Sequence, residues 1–415
     1  MAQDTSVRDD EAQRAFRLKA RAVLAEQLPP RVPGQTEMVW DDETVATDRR
    51  SQRALWDAGL AAITLPREYG GLGLSQRHAD IFYEEATAYR LPWQFGIGFN
   101  VVIPTVLAHG TEEQKQWVVR GMYSGEHIWC QLLSEPSGGS DLAGVLTRAE
   151  QHGDEWRLTG SKVWTTGATH ADYGICLART DPAVPKHAGL TMFLVNLRQP
   201  GMDINPITLL NGTVEFCQEF LDDVVVPDKH RLGPVGGGWT VASTQLQAER
   251  SGMSRGWHEG VALAVESPEI TLSSHYVTLA REAGVLDDPA ARQLLGEAFV
   301  VDAVQKITVK RVSQGVRNKA LPPSASALSS LMTSRCNIRR SALLSAMVGP
   351  LGVIDTPGHE ERSVGMARVA THRIGGGTLE TQLNSISERH LGLPREADPS
   401  RDVPFNQVRT NKPRP

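Results

Sequence analysis

The sequence of 415 residues is poor in cysteine, and its four cysteines are not arranged as a metal site. Cys130, Cys176, Cys217 and Cys336 are scattered, without the Cys-x-x-Cys spacing of zinc sites and redox motifs. Disulfides are rare in reducing compartments, where isolated thiols are usually interior residues. We therefore predict that all four cysteines are buried and unpaired.

The chain also lacks a long hydrophobic run and a basic surplus. No run approaches the roughly 18 apolar residues of a membrane helix, and the N-terminus, with Asp4, Asp9, Asp10 and Glu11, is too acidic for a signal peptide. The formal net charge of -5 argues against a dedicated nucleic-acid surface. We expect a cytoplasmic protein that binds neither membranes nor nucleic acids.

Several common catalytic motifs are missing. The glycine run that ends at Trp239 has no following Lys-Ser/Thr, so it is not a phosphate-binding P-loop. Neither a Gly-x-Ser-x-Gly elbow nor a His-Glu-x-x-His motif occurs, and the 12 histidines show no paired ligand spacing on one helix. These absences argue against α/β-hydrolases and zinc proteases, and we predict no metal site.

Hydrophobic periodicity divides the chain into three parts. Residues 5–125 are predicted to be helical, because apolar positions such as Ala12, Phe16 and Ala20 recur at three and four residues. From residue 126 to about residue 228, short predicted strands are separated by Gly, Asp, Pro and Asn clusters, as in an antiparallel β-barrel. These strands are Thr147–Ala149, Trp156–Leu158, Tyr173–Ala178, Thr191–Val195 and Phe216–Leu221. Helix returns after Pro227, with a long amphipathic segment from Trp239 to Ala264.

This pattern predicts an α+β protein with three domains. We place an N-terminal helical domain at 1–125, a middle β-barrel domain at 126–236, and a C-terminal four-helix-bundle domain at 237–415. Val300–Val312 and Ser326–Val348 are predicted as helices of the bundle. The polar, proline-rich stretch from Pro399 to Pro415 is predicted to be an extended tail.

The most informative stretch runs from Ile128 to Gly144. Its apolar start predicts a buried strand that ends at Ser134-Glu135-Pro136. Ser137–Asp141 then forms a turn with two glycines and two serines, whose N–H and hydroxyl groups suit a phosphate. On its own, such a turn is more often a simple loop.

Four further segments, one before this stretch and three after it, are informative together with it. They are Leu65–Leu74, Gly160–Gly167, the segment from Gly237 to Arg250, and Gly376–Glu380 with the following Glu388–Glu396. Together they resemble the acyl-CoA dehydrogenase family over nearly the whole chain. The resemblance implies the fold of that family and a flavin-dependent oxidation of an acyl thioester to its trans-2-enoyl product.

The resemblance also implies how FAD would be held. Leu133 and Ser134 would line the pyrimidine edge of the flavin, and Ser140 would meet the pyrophosphate or the thioester ligand near it. Trp164, Thr165 and Thr166 would cover the ring near N5, and Thr378 and Glu380 would lie by the dinucleotide. Without these neighbouring blocks, Trp164 would be interpreted as a core aromatic residue.

The catalytic base is a departure from the commonest family pattern. Many members place a glutamate immediately before the Gly-Thr of the C-terminal block, where this chain has Gly376. Isovaleryl-CoA dehydrogenase and its like carry the base on the long helix after the barrel, next to an arginine. Glu249, followed by Arg250 near the substrate, matches that position. The backbone N–H of Gly376 would still polarise the thioester carbonyl. The alternative is that Glu249 is a solvated helix carboxylate.

The resemblance sets expectations for partners too. The substrate would be an acyl-CoA or an acyl carrier protein thioester, with electron-transfer flavoprotein as acceptor. The Arg-x-x-Phe-Gly and Gln-x-x-Gly-Gly-x-Gly segments of homotetrameric members are missing, and residues 280–285 and 346–352 stand in their place. This favours a dimer, or a heteromer with a related subunit as in steroid side-chain enzymes.

Three further alternatives remain open from the sequence. A flavin monooxygenase or nitroalkane oxidase has the same fold, and a non-catalytic partner subunit of a heteromeric dehydrogenase would share most blocks. Gly96 and Gly98 either leave room for a bulky acyl group or mark a helix boundary.

Overall fold

Helices precede and follow a central sheet in the computed structural model, which describes residues 9–31, 39–210, 212–255, 274–352, 354, 371 and 373–408. The N-terminal helices are α1 (Glu11–Gln27), α2 (Asp42–Asp57), α3 (Gln76–Ala86), α4 (Ile103–His109) and α5 (Glu112–Tyr123). Two of them begin with capping boxes, Asp10 with Gln13 for α1 and Thr111 with Gln114 for α5, which satisfy the first free N–H groups.

The middle of the chain forms one sheet. Its strands are β1 (Trp129–Leu132), β2 (Arg148–His152), β3 (Glu155–Thr166), β4 (Tyr173–Arg179), β5 (Leu190–Asn196), β6 (Met202–Ile207), β7 (Phe216–Pro227) and β8 (Arg231–Leu232). Their order is β6-β7-β3-β2-β4-β5-β8, with β1 beside β4.

The sheet is mostly antiparallel, as predicted. Strand β4, however, runs parallel to β1 over residues 173–176 and parallel to β2 where Arg148 pairs with Arg179. The chain from β1 to β4 makes a long excursion through β2 and β3, and a connection of that length lets two strands point the same way. Strand β6 was not predicted, because its polar residues and Pro206 hide the apolar alternation.

The C-terminal helices are α6 (Gly238–Arg255), α7 (Ser274–Glu282), α8 (Pro289–Arg317), α9 (Ser326–Val348) and α10 (Leu379–Arg389). Helix α9 packs against α8, α6 and α10. The two helices predicted at 300–312 and 326–348 are confirmed. Of the long helix predicted from residue 239, the structure shows the part up to Arg255, and residues 256–264 lie outside the described residues.

A single apolar cluster joins the three parts of the chain. Val106 and Val119 come from the N-terminal helices, Leu194 from the sheet, and Val241 and Ala242 from α6. All five side chains are almost fully buried. This shared core fixes α6 against the sheet, which places the second half of α6 beside the end of β1.

Two smaller expectations can be compared with the structure directly. Cys130, Cys176, Cys217 and Cys336 are buried free thiols, as predicted. Within the described ranges, no helix is both long and apolar enough to cross a membrane.

The predicted C-terminal tail packs on the sheet over part of its length. Phe405 N donates to Val184 O at 2.9 Å, and Asn406 N donates to Pro182 O at 2.9 Å. The guanidinium of Arg179 lies 3.5 Å from the centre of the Phe405 ring, a cation–π contact. Residues 399–408 are thus anchored to the middle of the chain, and residues 409–415 are outside the described part.

Candidate active site

The end of β1 and the end of β3 lie side by side. Val163 N donates to Ser134 O at 2.9 Å, and Lys162 Nζ donates to Leu133 O at 3.1 Å. These bonds bring the predicted pair Leu133 and Ser134 next to the predicted Trp164 block, although the two segments are separated in sequence. The structure therefore groups five of the predicted site residues: Leu133, Ser134, Trp164, Thr165 and Thr166.

Trp164 is exposed and has an unusual backbone conformation. Its φ is 65°, which is left-handed and rare for a bulky side chain, and it lies at a register shift between β3 and β7. The side chain is 56% exposed and meets Phe216 edge to face, with 6.0 Å between ring centres. The alternative interpretation as a buried core aromatic is wrong.

A buried ion pair supports this strand end. Lys162 is fully buried, and its Nζ contacts Glu135 Oε1 at 2.9 Å and Leu177 O at 2.7 Å. Glu135 also accepts from Leu146 N at 2.6 Å and from Thr147 N at 2.9 Å. Burial would raise the pKa of Glu135, but Lys162 and these hydrogen bonds outweigh it, so the pKa is lowered.

The sequence interpretation assigned no role to Lys162 or Glu135. In the structure, they hold both sides of the turn at 137–141, because Lys162 binds Leu133 O before the turn and Glu135 binds the N–H groups of Leu146 and Thr147 after it. The signal available was a lysine and a glutamate in two apolar segments, where a charged residue is rarely buried without a partner.

The turn itself is open to a ligand. Gly138 and Gly139 have no atom nearer than 3.7 Å to the position of a Cβ, and Ser140 is exposed. Within the part of the chain that the structure describes, the N–H groups of Gly139, Ser140 and Asp141 form no backbone hydrogen bond. Successive free N–H groups beside a serine hydroxyl suit an anion such as a pyrophosphate.

A buried acid lies behind Thr165. The Thr165 hydroxyl donates to Glu219 Oε2 at 2.8 Å, and Glu219 is fully buried. Glu219 Oε1 has no hydrogen-bond partner among the described residues. Burial raises the pKa of Glu219 to about 8, opposed by the bond from Thr165, so this group is mainly a neutral acid at pH 7.

Glu249 lies on the second half of α6, facing β1. Gln131 Oε1 of β1 accepts from Gln245 Nε2 at 2.8 Å, and Gln245 precedes Glu249 by one turn of α6. Glu249 is partly buried, and burial raises its pKa. The adjacent Arg250 and a hydrogen bond from the Gln131 amide offset this rise only in part. The alternative of a fully solvated helix carboxylate does not fit this environment. Neither glutamine was singled out in the sequence.

Arg250 is partly buried as well. Its pKa is lowered by burial and by Arg389 of α10, while Glu249 opposes the fall. The positive charges of Arg250 and Arg389 therefore oppose each other.

The C-terminal block begins α10. Gly376 has a φ of 70°, and its carbonyl accepts from Gln382 Nε2 at 2.9 Å. Thr378 is the N-cap, its hydroxyl accepting from Thr381 N at 3.1 Å, and Glu380 is exposed in the first turn. Among the described contacts, none joins Thr378 or Glu380 to the strand residues at 133–166.

Gly98 has a packing role. It opens the π-helical turn Gly98–Val102, and a Cβ there would lie 2.6 Å from Met122 Sδ. The small residue therefore makes room for Met122 of α5, and this observation favours the helix-boundary interpretation over an enlarged acyl pocket.

Helical domains on both sides of a β domain, with a carboxylate on the helix after the sheet, define an acyl-CoA dehydrogenase architecture. Models of the N-terminal, middle and C-terminal domains of acyl-CoA dehydrogenases match residues 10–126, 130–224 and 236–391. The chain belongs to the acyl-CoA dehydrogenase family.

Individual relatives agree with this assignment. The chain is 33% identical over 394 residues to acyl-CoA dehydrogenase IpdE1 of Mycobacterium tuberculosis (strain ATCC 25618 / H37Rv), covering 92% of this chain and 98% of the relative. A solved structure described as the Tcur3481-Tcur3483 steroid ACAD matches with TM-score 0.74 and 28% identity, covering 94% and 99%. The ChsE4-ChsE5 complex from Mycobacterium tuberculosis matches with TM-score 0.70 and 25% identity, covering 94% and 100%.

Proposed function

We propose that the protein is an FAD-dependent acyl-CoA dehydrogenase that oxidises an acyl thioester to its trans-2-enoyl thioester, with Glu249 as the base. The observation that carries this proposal is the placement of Glu249. It is a partly buried carboxylate on α6, one turn after Gln245, which is hydrogen-bonded to Gln131 in the strand that leads into Leu133 and Ser134. The commonest position of the base, residue 376, is a glycine and cannot accept a proton.

The residues around the strand ends fit a flavin dinucleotide. We assign Leu133 and Ser134 to the pyrimidine edge and Trp164, Thr165 and Thr166 to the ring. The exposed indole and the strained backbone of Trp164 support this assignment, because backbone strain is concentrated at ligand-binding and active sites.

The dinucleotide half needs an anion site. We assign the pyrophosphate to the turn at Ser140, where the N–H groups at 139–141 are without backbone partners in the described chain. Thr378 and Glu380, at the start of α10, are assigned to the dinucleotide by their place in the family pattern alone. We therefore propose FAD rather than FMN.

The chain's own groups would divide the chemistry. Bound FAD would supply the oxidant, because flavin N5 accepts the hydride that leaves the β-carbon. Glu249, in its ionised form, would remove the α-proton of the thioester. The N–H of Gly376, which has no backbone hydrogen bond to another described residue, would donate to the thioester carbonyl and stabilise negative charge there. Arg250 would stay beside the substrate and favour the ionised base.

The domain limits that we propose are 1–125, 126–236 and 237–415. The substrate is an acyl-CoA or acyl carrier protein thioester. A steroid side-chain thioester deserves early testing, because one similar structure is described as a steroid ACAD. We propose electron-transfer flavoprotein as the acceptor.

We also propose an oligomer, either a dimer or a heteromer with a related subunit. Val300, Val304 and Ile307 of α8 are exposed at helical spacing, and a soluble protein usually covers such a stripe. The missing arginine and glutamine-glycine segments mean that a second copy would not complete the flavin site in the usual way. A heteromeric relative, the ChsE4-ChsE5 complex, supports the second possibility.

The proposal is tested by spectroscopy and product analysis. The purified chain, alone and with a candidate partner subunit, is expected to carry FAD that bleaches anaerobically with an acyl thioester and yields the enoyl product. Glu249→Gln should retain flavin and lose about 10² to 10⁴ in turnover. Glu26→Gln, which alters an exposed carboxylate of α1 that has no role in the proposed site, is the control and should remain near native.

Other outcomes identify the alternatives. Oxygen consumption without an enoyl product would mark a monooxygenase or nitroalkane oxidase. A chain that never binds flavin but activates a related subunit would be a non-catalytic partner. Near-native turnover in Glu249→Gln would remove the base from this residue.

A further inference from the structure

The carboxylate of Glu249 and the amide of Gln131 come from different elements. Gln131 lies in β1 and Glu249 on α6, and the Gln131 amide is the group of the sheet whose hydrogen bonding lowers the pKa of Glu249. The orientation of the Gln131 amide is fixed by a third residue, since its oxygen accepts from Gln245 Nε2 at 2.8 Å. With the oxygen occupied in this way, the NH₂ group is directed to the carboxylate.

Gln245 provides a rigid support for this amide. It is fully buried, and it precedes Glu249 by one turn of α6, so the two side chains lie on the same face. Gln245 Oε1 has no partner among the described residues. The donor to Gln131 Oε1 is the NH₂ group of Gln245, since an amide oxygen can only accept.

We propose that Gln131 is a positioning residue for the base, holding the Glu249 carboxylate in place and in its ionised form, and that Gln245 orients Gln131. The inference rests on the proposed role of Glu249. A carboxylate that is being desolvated by α6 and the sheet needs a donor, because a buried, unpaired charge is costly. An N–H donor bonded to a carboxylate favours the charged form, which is the form that accepts a proton.

No charged group on a neighbouring element is among the causes that shift the pKa of Glu249 in the described chain. Among the described residues, Arg250 is the one charged group that acts on Glu249. Arg250 follows it directly in the chain, so it adds positive potential but belongs to the same helix. Gln131 is the donor that the sheet contributes.

Titratable groups on the other elements packed against α6 are engaged elsewhere. His109 of α4 contacts Thr244 Oγ1 at 2.8 Å, and burial lowers its pKa. In α9, Arg339 pairs with Glu297 and Arg340 pairs with Asp302, both of α8. The strand ends contribute Tyr173 and Cys130, whose pKa values are raised mainly by burial, so both are neutral near pH 7. Arg179 of β4 is bonded to the carbonyls of Val145 and Ala143.

The test compares pH profiles of turnover in the flavin-loaded enzyme. Gln131→Leu removes the donor with little change in size, and we expect the acid limb to move to higher pH by about one unit. At a fixed pH on that limb, turnover should fall about tenfold. Gln131→Glu is a second variant, with a side chain of the same shape. It can still accept from Gln245 Nε2 but cannot donate when ionised, so the acid limb of its pH profile should also move to higher pH. Gln245→Leu should produce a smaller shift.

A second readout does not depend on flavin or substrate. The infrared C=O band of protonated Glu249, identified by its loss in Glu249→Gln, is titrated in each protein. The band should persist to higher pH in Gln131→Leu than in the unaltered chain. Gln114→Leu is the matched control. Gln114 is another buried glutamine, whose amide donates to Lys229 O and Arg231 O at 2.8 and 2.9 Å, and its loss should lower stability without moving either titration.

The outcomes separate the two proposals. If Glu249→Gln keeps near-native turnover, the base assignment fails. If Glu249→Gln is inactive but the acid limb and infrared titration of both Gln131 variants coincide with those of the unaltered protein, the role of Gln131 is overturned and that of Glu249 remains. An equal shift in Gln114→Leu would also overturn it, because a general loss of packing would then explain the effect.

Discussion

The hydroxyl of Thr165 donates a 2.8 Å hydrogen bond to Oε2 of Glu219, a fully buried acid with one oxygen that is unpaired among the described residues. Thr165 belongs to the block that we assign to the flavin ring. Its hydrogen-bond acceptor, Glu219, is mainly neutral near pH 7. The pair therefore links the shape of the candidate site to pH.

This pair predicts a pH-dependent stability. The pKa of Glu219 is raised by burial to about 8, so in the folded protein it keeps a proton that the unfolded chain loses near pH 4.5. The folded state binds more protons in this window, and the free energy of unfolding therefore falls as pH rises from about 4.5 to about 8. The contribution is fully present below that window.

Glu219→Gln should remove this contribution, because glutamine cannot ionise and still accepts from Thr165. Relative to the variant, the unaltered protein should lose about 1.4 kcal/mol of stability per pH unit across the window. Denaturant unfolding of both proteins at a series of pH values measures the difference between their free energies of unfolding. Groups that titrate alike in both proteins cancel in this difference. Parallel curves would show that Glu219 is already ionised in the folded state.

Loss of the buried lysine should be far more damaging than loss of a surface lysine. Lys162→Met leaves Glu135 buried without its cationic partner, and we expect a cost of about 3–5 kcal/mol. Flavin affinity should fall with it, because the turn at 137–141 loses its support. Chemical unfolding and flavin titration measure the two effects.

Lys186→Met is the control for this experiment. Lys186 pairs with Asp141 at the same distance, 2.9 Å. Asp141 is 63% exposed, so solvent screens this pair, and a screened pair is worth about 0–1 kcal/mol. Equal costs for the two lysines would contradict the structural role that we give to Lys162. The deficit of Lys162→Met should shrink as pH falls, because burial without Lys162 raises the pKa of Glu135 and the carboxylate then takes up a proton.

The left-handed backbone at Trp164 makes a prediction that separates strain from contact. Trp164→Gly and Trp164→Ala lose the same ring, but glycine adopts a φ of 65° without the penalty of a Cβ. The glycine variant should therefore be more stable by about 1 kcal/mol. Both variants should bind flavin less tightly, as followed by quenching of flavin fluorescence. An alanine variant as stable as the glycine variant would show that this strand relaxes when the ring is removed.

The exposed stripe of α8 predicts the assembly behaviour. Val304→Asp places a charge at the centre of the stripe, and we expect light scattering to show a smaller species than that of the unaltered protein. Val235→Asp, which alters an equally apolar and exposed valine away from α8, should leave the mass unchanged. A stable monomer before any substitution would contradict the oligomer, and a homotetramer with four tightly bound flavins would contradict a divided flavin site.

Much of the fold follows from local patterns. The apolar runs at β4 and β5 predicted buried strands because such runs fit a sheet covered on both faces, and the helix of residues 326–348 followed from its period. Strand β6 was missed, because Met-Asp-Ile-Asn-Pro-Ile has weak alternation and a proline. Pairing with β7, a contact between distant segments, is what orders it.

The candidate site shows the same division. Leu133, Ser134 and the Trp164 block were identified from their order along the chain, and their contact follows from the strand ends. The roles of Gln131 and Glu219 were not predictable, because each depends on a partner on another element and on the register that brings the two together. No local signal in Val163-Trp164-Thr165 announces a left-handed tryptophan, since the residue type disfavours it.

The contact between Arg179 and Phe405 has a consequence for synthesis of the protein. Strands β1 to β8 leave the ribosome long before Phe405, and at about 5–20 residues per second the delay lasts several seconds at least. During that time the sheet has all its strands, yet the guanidinium of Arg179 lacks the aromatic ring that covers it. A nascent chain, or one terminated before Phe405, therefore leaves this end of β4 without its aromatic cover, and the cover forms only after Phe405 has been synthesised.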